Sequence, residues 1–491
     1  MDSIPPEILS EIIIFLDKDT KISAYSTISR TWQHAIEQRT FRSLKLTADD
    51  VGAFKDCFVS DNIRRAQYMT KLDIDLAYCR SSVPDVAIAF LNALSDIANR
   101  APNVLPLTLS LSLPHSQGES DIWDIQLPDN ALDIHQVEAF VLQVSGLGYY
   151  MRQAAAFNFL LHFPRIRSAK LSIMDMPEWG LRRRRSERQE LGNAIQATDF
   201  SHLTEFVLTV WHISLRDENW PPGSLVPGGN LEDPYRTTMR RLSTAPNLKT
   251  LHLMGPLVIC PDFFSELPTF PALEDFQLDF ATETADDRWF FIRDEELEKR
   301  MEEEDEDDDS DDEESDSDSD SDSDNPWVKL TDPDDEEGPL EHRDEGCPPR
   351  FRTLPNPDTI RTLLLGAARF VQDNPKLQRF ILRNKTAPGL REQSTAMMYD
   401  YMTRNLQLWY MKPGIPRSDG IVVRIQGEHK YLSHPRLYWR VGDWRPDEDV
   451  TKAWSEVTGP DTKVFFLKDD NFDPWSQWPI YLGDLEDELV E

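Results

Sequence analysis

Five times along the chain a proline is followed by the pattern x-apolar-x-x-apolar-x-Leu. The copies are PNVLPLTL at 102–109, PRIRSAKL at 164–171, PNLKTLHL at 246–253, PALEDFQL at 271–278 and PKLQRFIL at 375–382. Each follows a stretch expected to be helical, such as FLNALSDIANRA, AAAFNFLLHF or IRTLLLGAARFVQDN. Proline has no N–H to donate and its ring clashes with the preceding turn, so a helix stops just before it. The alternating residues behind the proline then read as a short strand with one apolar face. FRSLKL, MTKLDI and HLTEFVL are weaker copies without the proline. A unit made of one helix, one stop and one strand cannot bury its own apolar face and must stack on neighbours. The pattern therefore predicts an α/β chain built from repeated units.

The copies begin 62, 82, 25 and 104 residues apart. A regular leucine-rich repeat recurs every ~20–29 residues. The expectation is an irregular, leucine-rich-repeat-like solenoid of helix–strand units with insertions, over 46–293 and 346–395. A generic α/β domain with helix–strand alternation is the alternative. At ~150 residues per domain, 491 residues leave room for about three domains. Between the last two copies lies RMEEEDEDDDSDDEESDSDSDSDSD at 300–324, with almost nothing apolar to bury, and self-repulsion there predicts disorder. Setting aside the 52 residues of 294–345 shortens the 104-residue gap to 52, so this segment reads as a disordered acidic loop thrown out of a continuous domain. From 396 to 491 the character changes. Trp409, Trp439, Trp444, Trp454, Trp475 and Trp478 crowd together, GIVVRIQ, KVFFLK and RLYWRVGDWRP read as strands or their continuations, and PDEDVTKAWSEV reads as a helix. This predicts a Trp-rich α/β C-terminal module.

Charge is equally uneven. The net charge is −35, yet 294–345 holds 29 acids and 4 bases, leaving 58 acids against 48 bases elsewhere. A general nucleic-acid partner is not expected, because phosphate binding needs a basic surface. Cys57, Cys79, Cys260 and Cys347 form no CxxC pair, which gives zinc and thioredoxin-like chemistry no support and fits a reducing compartment. No apolar run approaches the ~20 residues of a membrane span. Glu7 and Glu11 interrupt the apolar N-terminus, which also lacks a basic start, so a signal peptide is not expected. The expected location is cytoplasmic or nuclear.

Constellations that carry catalysis are not found. GLG at 146–148 lacks the rest of a dinucleotide fingerprint, and there is no phosphate-binding loop or G-x-S-x-G elbow. His429 and His434 lie five apart in a strand–loop region, which is not a metal-ligand helix, and read as solvated or core histidines. No catalytic residue, metal or cofactor is assigned. An unrecognised enzyme would have to rest on an aromatic pocket in the C-terminal module. RRRR at 182–185 reads either as a nuclear-import or anion patch or, preferably, as an exposed helix face partly neutralised by Glu187 and Glu190. Ser310, Ser315, Ser317, Ser319 and Ser321 each have an acid three residues on, a spacing that resembles sites of acid-directed kinases. Phosphate would add ~1.5–2 negative charges per serine. An inert solvating loop, or capture of a basic partner such as a histone, reads the same segment differently.

The N-terminus reads as IPPEIL, II at 12–13, FL at 15–16, ISAYSTISRTW at 22–32 and FRSL at 41–44. A first helix is expected over 3–16. A second is expected to run through Ile22, Tyr25, Ile28 and Trp32, with Ile36 on the same stripe. In order and spacing these parts resemble the F-box: Ile4, Pro5 and Glu7 open the motif, Ile28, Ser29, Arg30 and Trp32 form its middle, and Phe41 and Leu44 close it. The likeness covers residues 1–45. It departs from the usual pattern in having Ile where Leu opens the motif and one extra polar residue before Ile22. Proline-marked leucine-rich units behind an F-box are similar to fungal F-box proteins with repeat domains, and RLYWRVGDWRPDEDVTKAW also resembles a module of that group.

The resemblance implies a non-catalytic subunit of a ubiquitin ligase, in which the F-box packs on a Skp-family adaptor joined to a cullin and the repeat body holds a target protein. Ile4, Pro5, Glu7, Ile8, Leu9, Ile12, Leu16, Ile28 and Trp32 would meet the adaptor. Independently, a helix pair this short has more apolar residues than it can bury against itself. Each Ile or Leu transferred from water is worth roughly 1.5–3 kcal/mol, so four or five could hold an interface after association costs. The alternative function is an acidic binding protein for basic partners such as histones, acting through 294–345.

Overall fold

The computed structural model describes residues 4–16, 22–59, 63–76, 83–101, 106–113, 122–123, 133–144, 150–175, 180–212, 218, 221–226, 232–296, 299, 352–384, 406–416, 428–442 and 444–467. The acidic segment from 300 onward with its five serines, the GIVVRIQ stretch, and Trp475 and Trp478 lie outside them. The chain is mixed α/β with mostly parallel sheet. It divides into two compact units, Met1–Ser172 with Ala197–Leu203, and Ile173–Gln196 with Thr204–Glu491. Among the described residues no helix is long and apolar enough to cross a membrane.

In the first unit, helices Pro6–Leu16 and Arg30–Thr40 precede the strands β1 (Ser43–Thr47), β2 (Lys71–Asp75), β3 (Leu107–Leu113), β4 (Ile122–Trp123), β5 (Val137–Val144), β6 (Tyr150–Met151) and β7 (from Ser168). β1, β2, β3, β5 and β7 pair side by side in parallel, in chain order. β4 and β6 form a separate small pair. β3 shows how the sequence sets the faces. Its Leu107, Leu109, Leu111 and Leu113 are buried, while Thr108, Ser110 and Ser112 between them are half-buried. Helices Val51–Phe58, Val83–Arg100 and Gln153–Leu161 supply aromatic packing, with Phe54 against Phe90 and Phe140 against Phe159 and Phe163 at ring separations of 5.2–5.8 Å.

The second expected helix differs. Residues Ile22–Thr27 form a 3-10 turn, and the α-helix starts afresh at Arg30. The cause is Ser29, which is extended at φ −161° and whose hydroxyl accepts a hydrogen bond from the Trp32 N–H, an N-cap that restarts the helix. Ile22 and Tyr25 still pack on the same apolar cluster. β5 was not expected at all, because it carries no proline-marked copy.

In the second unit β8 (Glu205–Trp211), β9 (Thr250–Ile259), β10 (Asp275–Thr284) and β13 (Arg379–Asn384) are parallel and adjacent. β14 (Gln407–Met411) and β15 (Arg436–Arg440) continue antiparallel, and β16 (Lys463–Leu467) pairs parallel with β15. β11 (Phe291–Arg293) and β12 (Arg352–Pro355) form an antiparallel pair of their own. The proline marks hold a consistent phase: strands start four residues after Pro164, Pro246, Pro271 and Pro375. Phe276 and Phe380 stack at 5.4 Å and Phe370 lies 4.8 Å from Phe276, so helix Pro357–Asp373 is held against the sheet by aromatic contact. Trp409, Trp439 and Trp454 are buried. Trp454 comes from helix Glu448–Thr458, which begins where Asp447 caps the Val450 N–H, and packs edge-on to Trp439 and against Phe380.

Gly255 marks a close backbone approach inside β9. Its φ is +84°, and a Cβ there would sit 2.0 Å from the Val210 carbonyl oxygen. Gly255→Ala is expected to cost about 3 kcal/mol or more, combining left-handed strain with a clash against backbone that cannot swing aside. Urea unfolding compared with the parent protein measures this. A loss below about 1 kcal/mol would mean the approach is looser than described.

Candidate docking surface and a buried charge network

Helix Pro6–Leu16 starts on proline with Glu7 in its first turn, both favourable at a helix N-terminus. One side of it closes a small core. Leu9 and Ile13 meet Trp32 and Ile36 of the Arg30–Thr40 helix, with Ile4, Ile12, Leu16, Ile22, Tyr25 and Ala35 around them. The other side is different. Ile8 is 53% exposed and Phe15 76% exposed. At about 100° per residue, seven positions return to within about 20° of the same direction, so Ile8 and Phe15 form one apolar stripe. Exposed Glu7 and Glu11 flank it, and half-buried Ile12 borders it. Ile14 and Ile28 are exposed as well, so half of the large apolar side chains exposed among the described residues fall within the first 28 positions.

The nine residues expected to meet a partner thus separate by environment. Pro5, Glu7, Ile8 and Ile28 face solvent, Ile4, Ile12 and Leu16 are half-buried, and Leu9 and Trp32 lie inside the helix pair's own core. Phe15, the most exposed large apolar side chain of the group, was missing from the expected set. Its i, i+7 relation to Ile8 was the available signal.

The second notable locality lies in the second unit. Arg184 reaches Asp175 with two parallel bonds, Nε to Oδ1 at 2.8 Å and Nη2 to Oδ2 at 3.2 Å. Arg188 donates to Oδ2 of Asp175 at 2.8 Å and to the Val258 carbonyl at 3.0 Å, and lies 4.8 Å over the Tyr235 ring. Nδ1 of His212 donates to the Asp175 carbonyl at 2.7 Å, and its Nε2 meets the Glu283 carboxylate. Burial alone would push the Asp175 carboxyl up, but the two guanidinium groups outweigh it and hold it well below the usual carboxylate range. Glu283 is likewise held low, His212 outweighing burial. For Asp233 beside them burial wins and raises the carboxyl.

This corrects the reading of RRRR as an exposed helix face. Within helix Gly180–Ala197, Arg184 and Glu187 are buried, Arg185 bonds the Ser224 carbonyl at 2.7 Å, and the counter-ion of Arg184 is Asp175 rather than Glu190. Only Arg182 of the four is exposed. Asp175, Arg184, Arg188 and His212 are all buried and bonded to one another or to Val258 and Glu283, an arrangement that can hold the unit together. Among the described residues no cluster of three or more His, Cys, Asp or Glu could hold a metal ion. No protein-family model matches the chain, and a search of curated proteins finds no match either.

Proposed function

We propose that the chain is the substrate-recognition subunit of a Skp–cullin–F-box ubiquitin ligase, itself non-catalytic, working in the cytoplasm or nucleus. The observation that carries this reading is the exposed Ile8–Phe15 stripe on a helix whose opposite side is already satisfied by Leu9, Ile13, Trp32 and Ile36. An apolar stripe left in water has a cost that a partner would relieve, and its place within the F-box-like order of residues 1–45 supports a Skp-family adaptor as that partner. The body would then present a target protein. Parallel strands that follow one another in chain order within each unit, most of the later ones set by a proline, support a leucine-rich-repeat-like solenoid with a Trp-rich C-terminal end. Co-expression of the full chain with a Skp-family adaptor tests the assignment: a stoichiometric complex on size exclusion is expected, and its absence at micromolar concentrations would sink it.

A second reading rests on the charge of 294–345. In it the segment captures a basic protein such as a histone, through binding that weakens steeply with salt. Deleting 294–345 would abolish that binding, and unchanged binding after deletion excludes it.

A further inference from the structure

Between the N-terminal helices and the sheet of the first unit stands a buried acid that the docking surface does not use. Glu37, on the inner side of helix Arg30–Thr40, is 7% exposed. Its Oε1 accepts from Arg65 Nε at 3.2 Å, from Arg65 Nη2 at 3.0 Å and from Gln33 Nε2 at 3.2 Å, and Arg64 stands 3.5 Å from Oε2. Arg65 and Arg64 belong to the 3-10 turn Ile63–Tyr68 that leads into β2. The same two elements are joined again where the Tyr68 hydroxyl meets Nε2 of His34 at 2.8 Å. Arg65 also lies 5.4 Å over the ring of Phe41, the residue that ends the helix. Phe41 begins a run of ring contacts through Phe58 and Phe54 to Phe90 of the Val83–Arg100 helix, with centroids 5.1–5.8 Å apart. Finally, the N–H groups of Thr70 and Lys71 both donate to the Arg42 carbonyl.

We infer that Glu37 is a positioning residue: with Arg65 it locks the N-terminal helix pair to the turn that feeds β2, so that the Ile8–Phe15 stripe keeps one fixed direction relative to the sheet β1–β7. Two Arg65 nitrogens converge on the single atom Oε1, a charge-assisted contact that, together with the Tyr68–His34 bond a turn away, ties the helix to the turn at two separate points, which an apolar contact alone does not. Burial works against the Glu37 carboxylate, but the bonds from Gln33 and Arg65 and the charge of Arg65 and Arg64 more than offset it. The consequence for function rests on the reading of the stripe as an adaptor-binding surface. A receptor that must carry its target to a fixed site on a large ligase gains from a junction that does not swivel.

The test uses the full chain with spin labels introduced as noncanonical amino acids at exposed Gln38 and Asn92, leaving the native cysteines in place. The parent protein is expected to give one narrow distance distribution. Glu37→Ala and Arg65→Ala are expected to broaden it at least twofold while adaptor affinity changes less than twofold. Glu37→Gln, which keeps the shape and removes the charge, covers the case in which the alanine variant does not fold, and is expected to broaden the distribution as well. A broad distribution in the parent, or an unchanged width in the variants, overturns the inference. In a reconstituted ligase, the lysines modified on the chain itself should spread over more positions in the variants, and an unchanged pattern would also count against it. Absence of adaptor binding in every protein, with the widths behaving as expected, would remove the proposed function and leave the lock standing.

Discussion

Asp175→Ala is expected to destabilise the second unit by about 3–5 kcal/mol, the cost of leaving buried charges without their counter-ion. Arg184 and Arg188 are 1% and 0% exposed at the side chain, and both converge on this one carboxylate. Neither can swing to water without opening helix Gly180–Ala197. The loss measures the stranded arginines, not the net worth of the network. Replacing the group together, as Asp175→Leu with Arg184→Met and Arg188→Met, removes the charges along with their desolvation, and is expected to recover most of the stability. Chemical unfolding of the three proteins reads both values. A single Asp175→Ala variant within 1 kcal/mol of the parent would show that the arginines find other partners.

The same carboxylates set a pH dependence. Asp175 and Glu283 are held below their unfolded values, so their contribution is fully present above about pH 4–4.5 and is lost as pH falls through that range and below. For each such group the loss approaches about 1.4 kcal/mol per pH unit once the unfolded carboxyl is protonated and the folded one is not. Asp233, raised by burial, has the opposite sign and offsets part of that loss on the acid side. Two depressed groups against one raised group leave a net acid lability. Asp175→Asn is expected to flatten the stability profile between pH 3 and 5. A profile as steep as the parent's would assign the acid lability to other carboxylates.

How much of this was legible follows from range. Helix stops and strand starts are local: a proline acts on the residues beside it, and the strands after Pro164, Pro246, Pro271 and Pro375 begin where the pattern places them. β5 was invisible because His135 and Gln136, not a proline, precede Val137, and its residues Val137, Phe140 and Leu142 were never phased. The restart at Ser29 needed the cap to be recognised as stronger than the apolar period running through it. The arginine run misled for a different reason. Arg184, Arg188, Leu191 and Ile195 share one face at helical spacing, and all four are buried. The periodic signal was present, but two of its positions are occupied by cations. Their counter-ion lies on a different element, which no spacing rule within the helix announces. Likewise the sequence marks Leu9 and Ile8 alike as apolar, while only the packing of Leu9 on Trp32 and Ile36 shows which of them remains available.

That distinction decides the experiment at the N-terminus. Leu9→Asp would place a charge at a position 1% exposed, and loss of adaptor binding would then report an unfolded helix pair. Ile8→Asp with Phe15→Asp instead changes two side chains that touch solvent, where substitutions are usually within ±0.5 kcal/mol of neutral. The double variant is expected to keep its unfolding midpoint. Its adaptor affinity should nevertheless fall about a thousandfold, from roughly 2 kcal/mol or more at each of two central apolar anchors, at 1.4 kcal/mol per tenfold. Ile14 supplies the internal control. Six residues from Ile8 it points about 120° away from the stripe, so Ile14→Asp is expected to bind within threefold of the parent. Titration calorimetry against a purified Skp-family adaptor, with thermal unfolding of each variant alongside, separates the outcomes. Full-strength binding by the Ile8→Asp, Phe15→Asp protein would remove the stripe as the docking surface. Equal losses in both variants, the double one and Ile14→Asp, with unchanged unfolding would extend the surface around the helix to Ile14.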